Sequence, residues 1–416
     1  MALKLPAGHT PRYENFEIAG VSDETIREGL ERALFGATDE RKLQLVEALS
    51  DAGIRDIDMG SGIQEPKFLL RCLDAQQYFG RIHPDTKFVF NLTLKSWEPI
   101  SHILAKLPTD YLSQIQVSLG MVEFHEEEDL LTKVHGRLSE IGVGSFRSSI
   151  LNAFSTHIEE ERYEFISRQI RRVSELGIDL VRVNDSIGSL IPDATAILAA
   201  NLTRDFPATN FYLHSHDDRG LGLANSLASI FNGFQIVEGG VAGFGNRAGL
   251  ANLEVLSKIF EERGITVKGT PLDTQKLIKV ASLAEETFLV APSVYRPVSG
   301  ILTEEENAGI VNVPDFLDIE RSVRYFLNPV GLFPDTIEQI LINAGFPQEQ
   351  LTDPGFVQAI IDRLNDKLQN HLYPQKEAQY AKVMQAIHDL HSDVVRLDEV
   401  QSVAMELLQE RVEVKA

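Results

Sequence analysis

The fold is constrained most strongly by a regular alternation of short apolar runs with longer amphipathic segments between residues 16 and 262. In one segment, residues 39–52, Leu43, Val46 and Leu49 recur close to the helical period of 3.6 residues. Eight such units in roughly 250 residues are typical of a (β/α)8 barrel with a parallel sheet. An open, doubly wound sheet is the alternative, although no glycine-rich nucleotide loop follows the first strand. The predicted strands are 16–21, 54–59, 87–91, 114–119, 144–151, 180–184, 210–214 and 235–241.

The rest of the chain has a different pattern. Residues 271–416 are mostly helical in their hydrophobic spacing, and a long final helix is predicted over 378–408. This helix could pack on the barrel or form a dimer contact. We therefore predict an α/β fold: a TIM-barrel catalytic domain over residues 1–270, followed by a helical C-terminal subdomain over residues 271–416.

The composition is that of an acidic, soluble globular protein. Lys and Arg number 39 against 61 Asp and Glu, which gives a net charge of −22 at pH 7. Such a charge disfavours nucleic acid and anionic membranes as partners. The single cysteine, Cys72, excludes an intramolecular disulfide and a cysteine-based zinc site. We see neither a secretory signal nor a run of about 18 apolar residues, so a cytoplasmic protein is expected.

The most specific motif is LHSHDDRGLGLANSLA, residues 213–228. His214 and His216 are two positions apart at the end of a predicted strand, so their side chains point to the same face. At the carboxyl end of a barrel strand, that face is where barrels of this type place their active sites. Two neighbouring imidazoles suit a divalent metal. Alternatively, the two histidines hydrogen-bond to the following Asp217 and Asp218.

A second charged motif, SDETIREG at residues 22–29, follows the first predicted strand. A carboxylate from this segment could join the two histidines, and two histidines with one carboxylate leave metal positions open for a substrate. Arg27 would offer a fixed cation to an oxyanion or to a substrate carboxylate. The alternative is a surface cluster of ion pairs that caps a helix.

Taken together, DETIREG, HSHDDRGLGLANSLA and VAGFGNRAGLANLEVL resemble the DRE-TIM metallolyase superfamily, and the resemblance extends over residues 15–270. This superfamily includes isopropylmalate, homocitrate and citramalate synthases and HMG-CoA lyase. The resemblance implies a TIM barrel with a divalent metal, Mg²⁺, Mn²⁺ or Zn²⁺. It also implies that Glu28, His214 and His216 are the metal ligands and that Arg27 is a catalytic and substrate-binding arginine.

Two further positions match the synthases residue by residue, and others depart from them. By resemblance, His125 in EFHEEE and Ser186 in VNDSIG are substrate-binding residues. The synthases have Asn where Leu250 stands, and they carry a histidine motif after the barrel that supplies a general base. The corresponding stretch, GILTEEENAGI, has no histidine, so Glu305 or a neighbouring glutamate is expected to act as the base. HMG-CoA lyase has a catalytic cysteine in the loop that reads GFGNRAG here, which disfavours the lyase.

The resemblance implies an acyltransferase. The expected reaction condenses an acyl-CoA, in the first instance acetyl-CoA, with a 2-oxo acid to give a 2-hydroxy-dicarboxylate. A metal-dependent lyase or aldolase that cleaves a C–C bond of a hydroxy acid is the alternative. Members of the superfamily commonly form homodimers, and a homodimer is therefore expected here.

Overall fold

The computed structural model of the chain describes residues 16–62, 65–121, 129–150, 159–310, 322–351 and 353–413. Of the predicted site residues, only His125 lies outside these ranges. Within them, no helix combines the length and the apolar character needed to cross a bilayer.

Eight parallel strands close into a barrel in the order β2-β3-β4-β5-β6-β7-β8-β9, which confirms the predicted (β/α)8 architecture. Strand β1 lies outside the barrel and pairs with β10, while β11 and β12 form a separate parallel pair. The strands are β1 Glu17–Ile18, β2 Gly20–Asp23, β3 Asp56–Asp58, β4 Lys87–Thr93, β5 Ile115–Met121, β6 Phe146–Ile150, β7 Leu180–Asp185, β8 Asn210–Ser215, β9 Ile236–Gly239, β10 Thr266–Val267, β11 Glu305–Asn307 and β12 Arg324–Phe326.

Helices follow the barrel strands and continue into the C-terminal part of the chain. They are α1 Thr25–Arg32, α2 Asp39–Asp51, α3 Glu65–Gln77, α4 Trp97–Leu104, α5 Thr109–Leu112, α6 Leu130–Ile141, α7 Glu160–Glu175, α8 Pro192–Asp205, α9 Gly222–Phe231, α10 Leu253–Arg263, α11 Thr274–Phe288, α12 Pro334–Asn343, α13 Gln348–Leu351, α14 Pro354–Asp366, α15 Tyr373–Leu390 and α16 Leu397–Glu413. Capping residues fix several ends: Asp273 accepts a hydrogen bond from the N–H of Lys276 at the start of α11, and Gly264 ends α10 in the left-handed conformation.

The single long helix predicted over residues 378–408 is wrong, because the structure divides this stretch between α15 and α16. The helical path breaks after Leu390. Asp393 adopts a positive φ of 55°, and the Ser392 hydroxyl donates to the carbonyl of Asp389. Local side-chain bonds of this kind compete with the helical hydrogen bonds.

The apolar core lies between the barrel and its helices. In β4 the side chains of Phe88, Phe90 and Leu92 are buried in this layer. Because successive strand residues point to opposite faces, the residues between them face the barrel interior. Asn91 does so, and its side chain reaches Asp58 and Arg182 on neighbouring strands.

The barrel interior is polar, whereas branched aliphatic side chains fill most barrels of this type. Near the amino ends of the strands, Arg147 donates to Gln116 at 2.6 Å and to the hydroxyl of Tyr212 at 3.0 Å, and it pairs with Asp56. Arg182 lies nearer the carboxyl ends, bonded to a different set of groups described below. The interior therefore contains two buried arginines, each with its own acidic partners.

Contacts within the chain define two compact units. The first contains the barrel, extends to Pro292 and includes Arg296–Ser299, while the second contains Ser293–Tyr295 and continues from Gly300. Helix α11 therefore belongs to the barrel unit, and it packs against α2. The domain boundary predicted at residue 270 stays a prediction.

Two glycine-to-alanine changes test the packing of the barrel wall. A Cβ at Gly120 of β5 would lie 1.9 Å from the carbonyl oxygen of Ser149 on β6, so Gly120→Ala should force the strands apart and destabilise the protein by about 1–3 kcal/mol. Gly136 of α6 has open space around its Cβ position, so Gly136→Ala should stabilise the protein by about 0.5–1 kcal/mol. Thermal unfolding of both variants measures the contrast, and equal midpoints would contradict it.

Candidate active site

Three of the predicted residues converge at the carboxyl end of the barrel. Glu28 is on α1, directly after β2, while His214 is on β8 and His216 follows that strand. The Nε2 atom of His214 lies 3.2 Å from Nε2 of His216 and 3.4 Å from Oε1 of Glu28. All three side chains are buried, and one potential ligand atom from each lies within 4.8 Å of the others.

The spacing of these atoms fits a shared metal ion. Ligand atoms about 2.1 Å from one ion, at tetrahedral or octahedral angles, lie about 3.0–3.4 Å from each other. The observed 3.2 and 3.4 Å separations fall in that range. Two imidazoles and one carboxylate suit Mn²⁺ and Zn²⁺ and do not exclude Mg²⁺. The donor set therefore fits the divalent metal predicted from the sequence.

The surroundings of the two histidines give them different proton affinities. Nδ1 of His214 contacts the carboxylate of Glu238 on β9, and because a carboxylate only accepts, Nδ1 carries the hydrogen. Burial opposes a charge on His214, but Glu238 and Glu28 raise the pKa of His214 above its ordinary value. Burial and then the neighbouring His214 lower the pKa of His216 to about 4. His216 is therefore neutral near pH 7, the form that binds metals.

Glu28 is held as a carboxylate. Burial alone would raise the pKa of Glu28, but Arg27, His214 and the N–H of Asn246 outweigh it and hold the pKa well below the ordinary value. Arg27 lies 2.6 Å from Oε1, and the Asn246 N–H donates to Oε2 at 2.7 Å. The ionised form is the one that would bind a metal.

Six side chains form a closed ring of alternating acids and bases beneath the carboxyl end of the barrel. We call it the ionic ring; it consists of Glu28, Arg27, Glu24, Arg182, Glu238 and His214. Nε of Arg27 lies 2.5 Å from Oε2 of Glu24, and Oε1 of Glu24 lies 2.6 Å from Nη1 of Arg182. Arg182 Nη1 lies 3.5 Å from Glu238, and Glu238 contacts Nδ1 of His214. Nε2 of His214 lies 3.4 Å from Glu28, and this contact closes the ring.

The ionic ring and its surroundings contain more carboxylates than guanidinium groups. Asp58 lies 3.5 Å from Arg27 and 3.7 Å from Arg182, so four carboxylates, those of the ring and Asp58, surround two guanidinium groups. With every carboxylate ionised and both imidazoles neutral, the cluster would have an excess of two negative charges. Burial raises the pKa of Glu24 well above its ordinary value, so a proton on Glu24 reduces this excess. A divalent cation between Glu28, His214 and His216 would also reduce it, because buried charges are stable only when paired.

A loop after β9 closes over Glu28. Within it, Gly243 and Gly249 have positive φ angles, and a Cβ at Gly249 would lie 1.8 Å from the carbonyl oxygen of Gly243. Glycine is needed at this close approach. Between these two glycines lies Asn246, whose N–H donates to Glu28. Leu250 follows Gly249, and its backbone bridges to His216. The side chain of Leu250 is buried, so the position where the synthases have Asn is apolar here.

The structure brings together four of the predicted site residues, Arg27, Glu28, His214 and His216, and their roles stay predictions. Ser186 follows β7, and its carbonyl oxygen accepts a hydrogen bond from Arg247. Glu305 is in the second unit on β11, 3.1 Å from Arg324. His125 lies outside the described residues.

Sequence reasoning missed the inner half of the ionic ring, namely Glu24, Arg182 and Glu238. A signal was present in VRVND, residues 181–185, where polar residues alternate with valines. Strands of a parallel barrel are usually apolar throughout because helices cover one face and other strands the opposite face. Alternation in such a strand therefore indicates a polar barrel interior.

Comparisons with known proteins agree with the fold and the motifs. The HMGL-like family model matches residues 133–284. Homocitrate synthase from Sulfolobus acidocaldarius is 27% identical over 302 residues, which cover 70% of this chain and 61% of that protein. The Sulfurisphaera tokodaii homocitrate synthase is 24% identical over 306 residues, which cover 70% and 62%. The chain thus spans about three fifths of the length of these relatives.

Solved structures of HMG-CoA lyases share the fold. The lyase from Pseudomonas aeruginosa has a TM-score of 0.51 and 18% identity, covering 71% of this chain and 99% of its own. The Brucella melitensis lyase has a TM-score of 0.50 and 19% identity, covering 65% and 98%. The closed barrel, the three motifs and the HMGL-like match over residues 133–284 together make the chain similar to the DRE-TIM metallolyase superfamily.

Proposed function

We propose that this chain condenses an acyl-CoA, in the first instance acetyl-CoA, with a 2-oxo acid to give a 2-hydroxy-dicarboxylate. The observation that carries the proposal is the convergence of Glu28, His214 and His216 beside Arg27. The homocitrate synthase relatives support a condensation of this type. In the reaction, a C–C bond forms between the acyl methyl carbon and the ketone carbon, and hydrolysis of the thioester then releases CoA as a free thiol.

Each residue at the barrel mouth has a proposed role. Glu28, His214 and His216 would hold the divalent metal, which when bound supplies a Lewis acid for the carbonyl and carboxylate of the 2-oxo acid. Arg27, whose side chain is 11% exposed, would donate to the ketone oxygen as that oxygen gains negative charge. Ser186 and His125 would orient the substrate.

The acyl methyl group must lose a proton before it can attack the ketone. We propose Glu305 as the base, since a carboxylate at a suitable position can remove such a proton. The resemblance to the superfamily also leads us to propose a homodimer.

A lyase that cleaves the corresponding C–C bond is the second candidate. The observation in its favour is the shared fold with HMG-CoA lyases. Against an HMG-CoA lyase of the usual type, the sole cysteine, Cys72, is buried in α3 and absent from the loop after β9. Burial raises the pKa of Cys72 above its ordinary value, so this thiol is not an activated group.

The proposed reaction predicts thiol release from acetyl-CoA in the presence of Mg²⁺ or Mn²⁺ and one of a panel of 2-oxo acids. The panel includes pyruvate, 2-oxoisovalerate, 2-oxoglutarate, oxaloacetate and larger aromatic acids. A thiol reagent follows the release, and a chelator should abolish it because the substrate carbonyl is then no longer polarised. Cleavage of hydroxy acids without any thiol release across the panel would favour the lyase instead.

We predict that substitution of a proposed metal ligand sharply lowers the affinity for Mn²⁺. His216→Ala removes one of the three proposed ligands, so Mn²⁺ affinity should fall about 100-fold or more. This loss is larger than the one that usually follows when only a hydrogen-bond partner of a ligand is removed. Calorimetry or electron paramagnetic resonance of Mn²⁺ measures this. His102→Ala, on the exposed face of α4, is the matched control and should bind Mn²⁺ normally. Unchanged affinity in His216→Ala would contradict the ligand set.

The proposed base is tested by two neighbouring glutamates. Glu305→Gln keeps the size of the side chain but cannot accept the methyl proton, so kcat should fall about 10²–10⁴-fold. Glu304 is more exposed, and Glu304→Gln should leave kcat nearly unchanged. Exchange of the acetyl-CoA methyl protons with deuterated water isolates the proton-removal step. Equal exchange in Glu305→Gln and wild type would exclude Glu305 as the base.

A further inference from the structure

We propose that Glu24 and Arg182 are positioning residues that hold Arg27 and His214 in one fixed arrangement, so that metal affinity depends on two side chains that do not bind the metal. The catalytic consequence rests on the proposed function, whereas the effect on metal binding does not. The inference starts from the ionic ring, in which Glu24 lies opposite His214 and Arg182 lies between Glu24 and Glu238.

Arg182 is fully occupied by contacts inside the barrel. Its Nε donates to Ser149 at 2.9 Å, its Nη1 to Glu24 at 2.6 Å, and its Nη2 to Asn91 at 3.3 Å. Only a planar guanidinium group with several donors can reach such partners at once. Its side chain is 5% exposed, so it offers no surface to a substrate. Arg182 therefore acts on the site only through its partners.

Those partners lead in two directions to the proposed site. Glu24 bonds Arg182 through Oε1 and Arg27 through Oε2, so each carboxylate oxygen holds one arginine. On the other side, Glu238 lies between Arg182 and Nδ1 of His214. Because Nδ1 is fixed by Glu238, Nε2 of His214 points towards Glu28 and His216. The orientation of one proposed metal ligand thus depends on the charge of Arg182.

Glu24, His214 and Glu238 also lie close enough together to suggest a second metal site. Nη1 of Arg182 already lies 2.6 Å from Glu24 and 3.5 Å from Glu238, so the cation at this position is a guanidinium group. The guanidinium group of Arg182 is therefore the fixed cation between Glu24 and Glu238. The group formed by Glu28, His214 and His216 is left for a metal ion, which can exchange. This arrangement assigns positioning to Arg182 and metal binding to that group.

The barrel provides a matched control for this idea. Arg147 is also buried in the interior and also pairs with an acid, Asp56, but its partners are Gln116, Tyr212 and Ser22 and include no member of the ionic ring. Arg147→Lys and Arg182→Lys make the same chemical change at two depths of one barrel. A general loosening of the interior would affect both variants alike.

The experiment measures Mn²⁺ affinity of the full chain by calorimetry, with unfolding temperature as the check on folding. Arg182→Lys keeps the charge but cannot contact Glu24, Ser149 and Asn91 together, so Mn²⁺ affinity should fall about 10-fold or more, as for other outer partners of metal ligands. In Glu24→Gln, Mn²⁺ affinity should fall similarly, because the side-chain amide nitrogen cannot accept a hydrogen bond from an arginine. Arg147→Lys should bind Mn²⁺ within about twofold of wild type.

If Arg182→Lys does not fold, Glu24→Gln provides the same readout from the other side of the ring. Unchanged Mn²⁺ affinity in the folded variants would overturn the inference, and so would an equal loss in Arg147→Lys or a failure of both ring variants to fold.

If wild type binds Mn²⁺ but releases no thiol from acetyl-CoA, the proposed reaction fails while this inference stands. If thiol release does occur, the ring variants should lower kcat more than they raise KM for the 2-oxo acid.

Discussion

Burial of charge inside the barrel is the constraint on which the rest of this structure depends. Removing an ion from water costs several kcal/mol unless partners of opposite sign surround it. The chain meets this requirement with two arginines. Arg182 lies between carboxylates from separate segments of the barrel, whereas Arg27 contacts Glu24 and Glu28 of its own segment and Asp58 of β3. The apolar core is correspondingly displaced outwards, to the layer between strands and helices. The hydrophobic effect thus stabilises the wall of the barrel, while ion pairs determine what its interior can bind.

The upper edge of this charged interior is also where the proposed chemistry takes place. Glu28, His214 and His216 offer three converging ligand atoms to a divalent cation, and the loop after β9 fixes Glu28 from outside through the N–H of Asn246. Close packing of glycines gives that loop its shape. Stabilisation of the fold and preparation of the site therefore use the same contacts, since the groups that neutralise one another also fix the directions of the proposed ligands.

The sequence allowed prediction of the eight strands, because short apolar runs separated by helical spacing leave few other folds. It also predicted a metal site, because paired histidines at a strand end and a nearby carboxylate suit a divalent ion, whereas the choice of Glu28 as that carboxylate rests on the resemblance to the superfamily. It did not identify Glu24, Arg182 and Glu238, whose partnership depends on strand neighbours and register. The break between α15 and α16 was missed because no glycine or proline marks it. Glu305 belongs to the second unit, and no local sequence pattern determines the role of this residue.

The ionic ring has a consequence for how this chain reaches its native state. Glu24 and Arg182 are 158 residues apart in sequence, and Asn246 and Glu28 are 218 apart. Neither contact can form in a half-built barrel, in which these charges remain hydrated and no partner offsets the cost of burying them. A partly closed sheet therefore gains little by excluding water from its interior. We therefore expect closure of the first strand against the last to be late and cooperative, because the entropy of a long loop opposes it until all ring members meet.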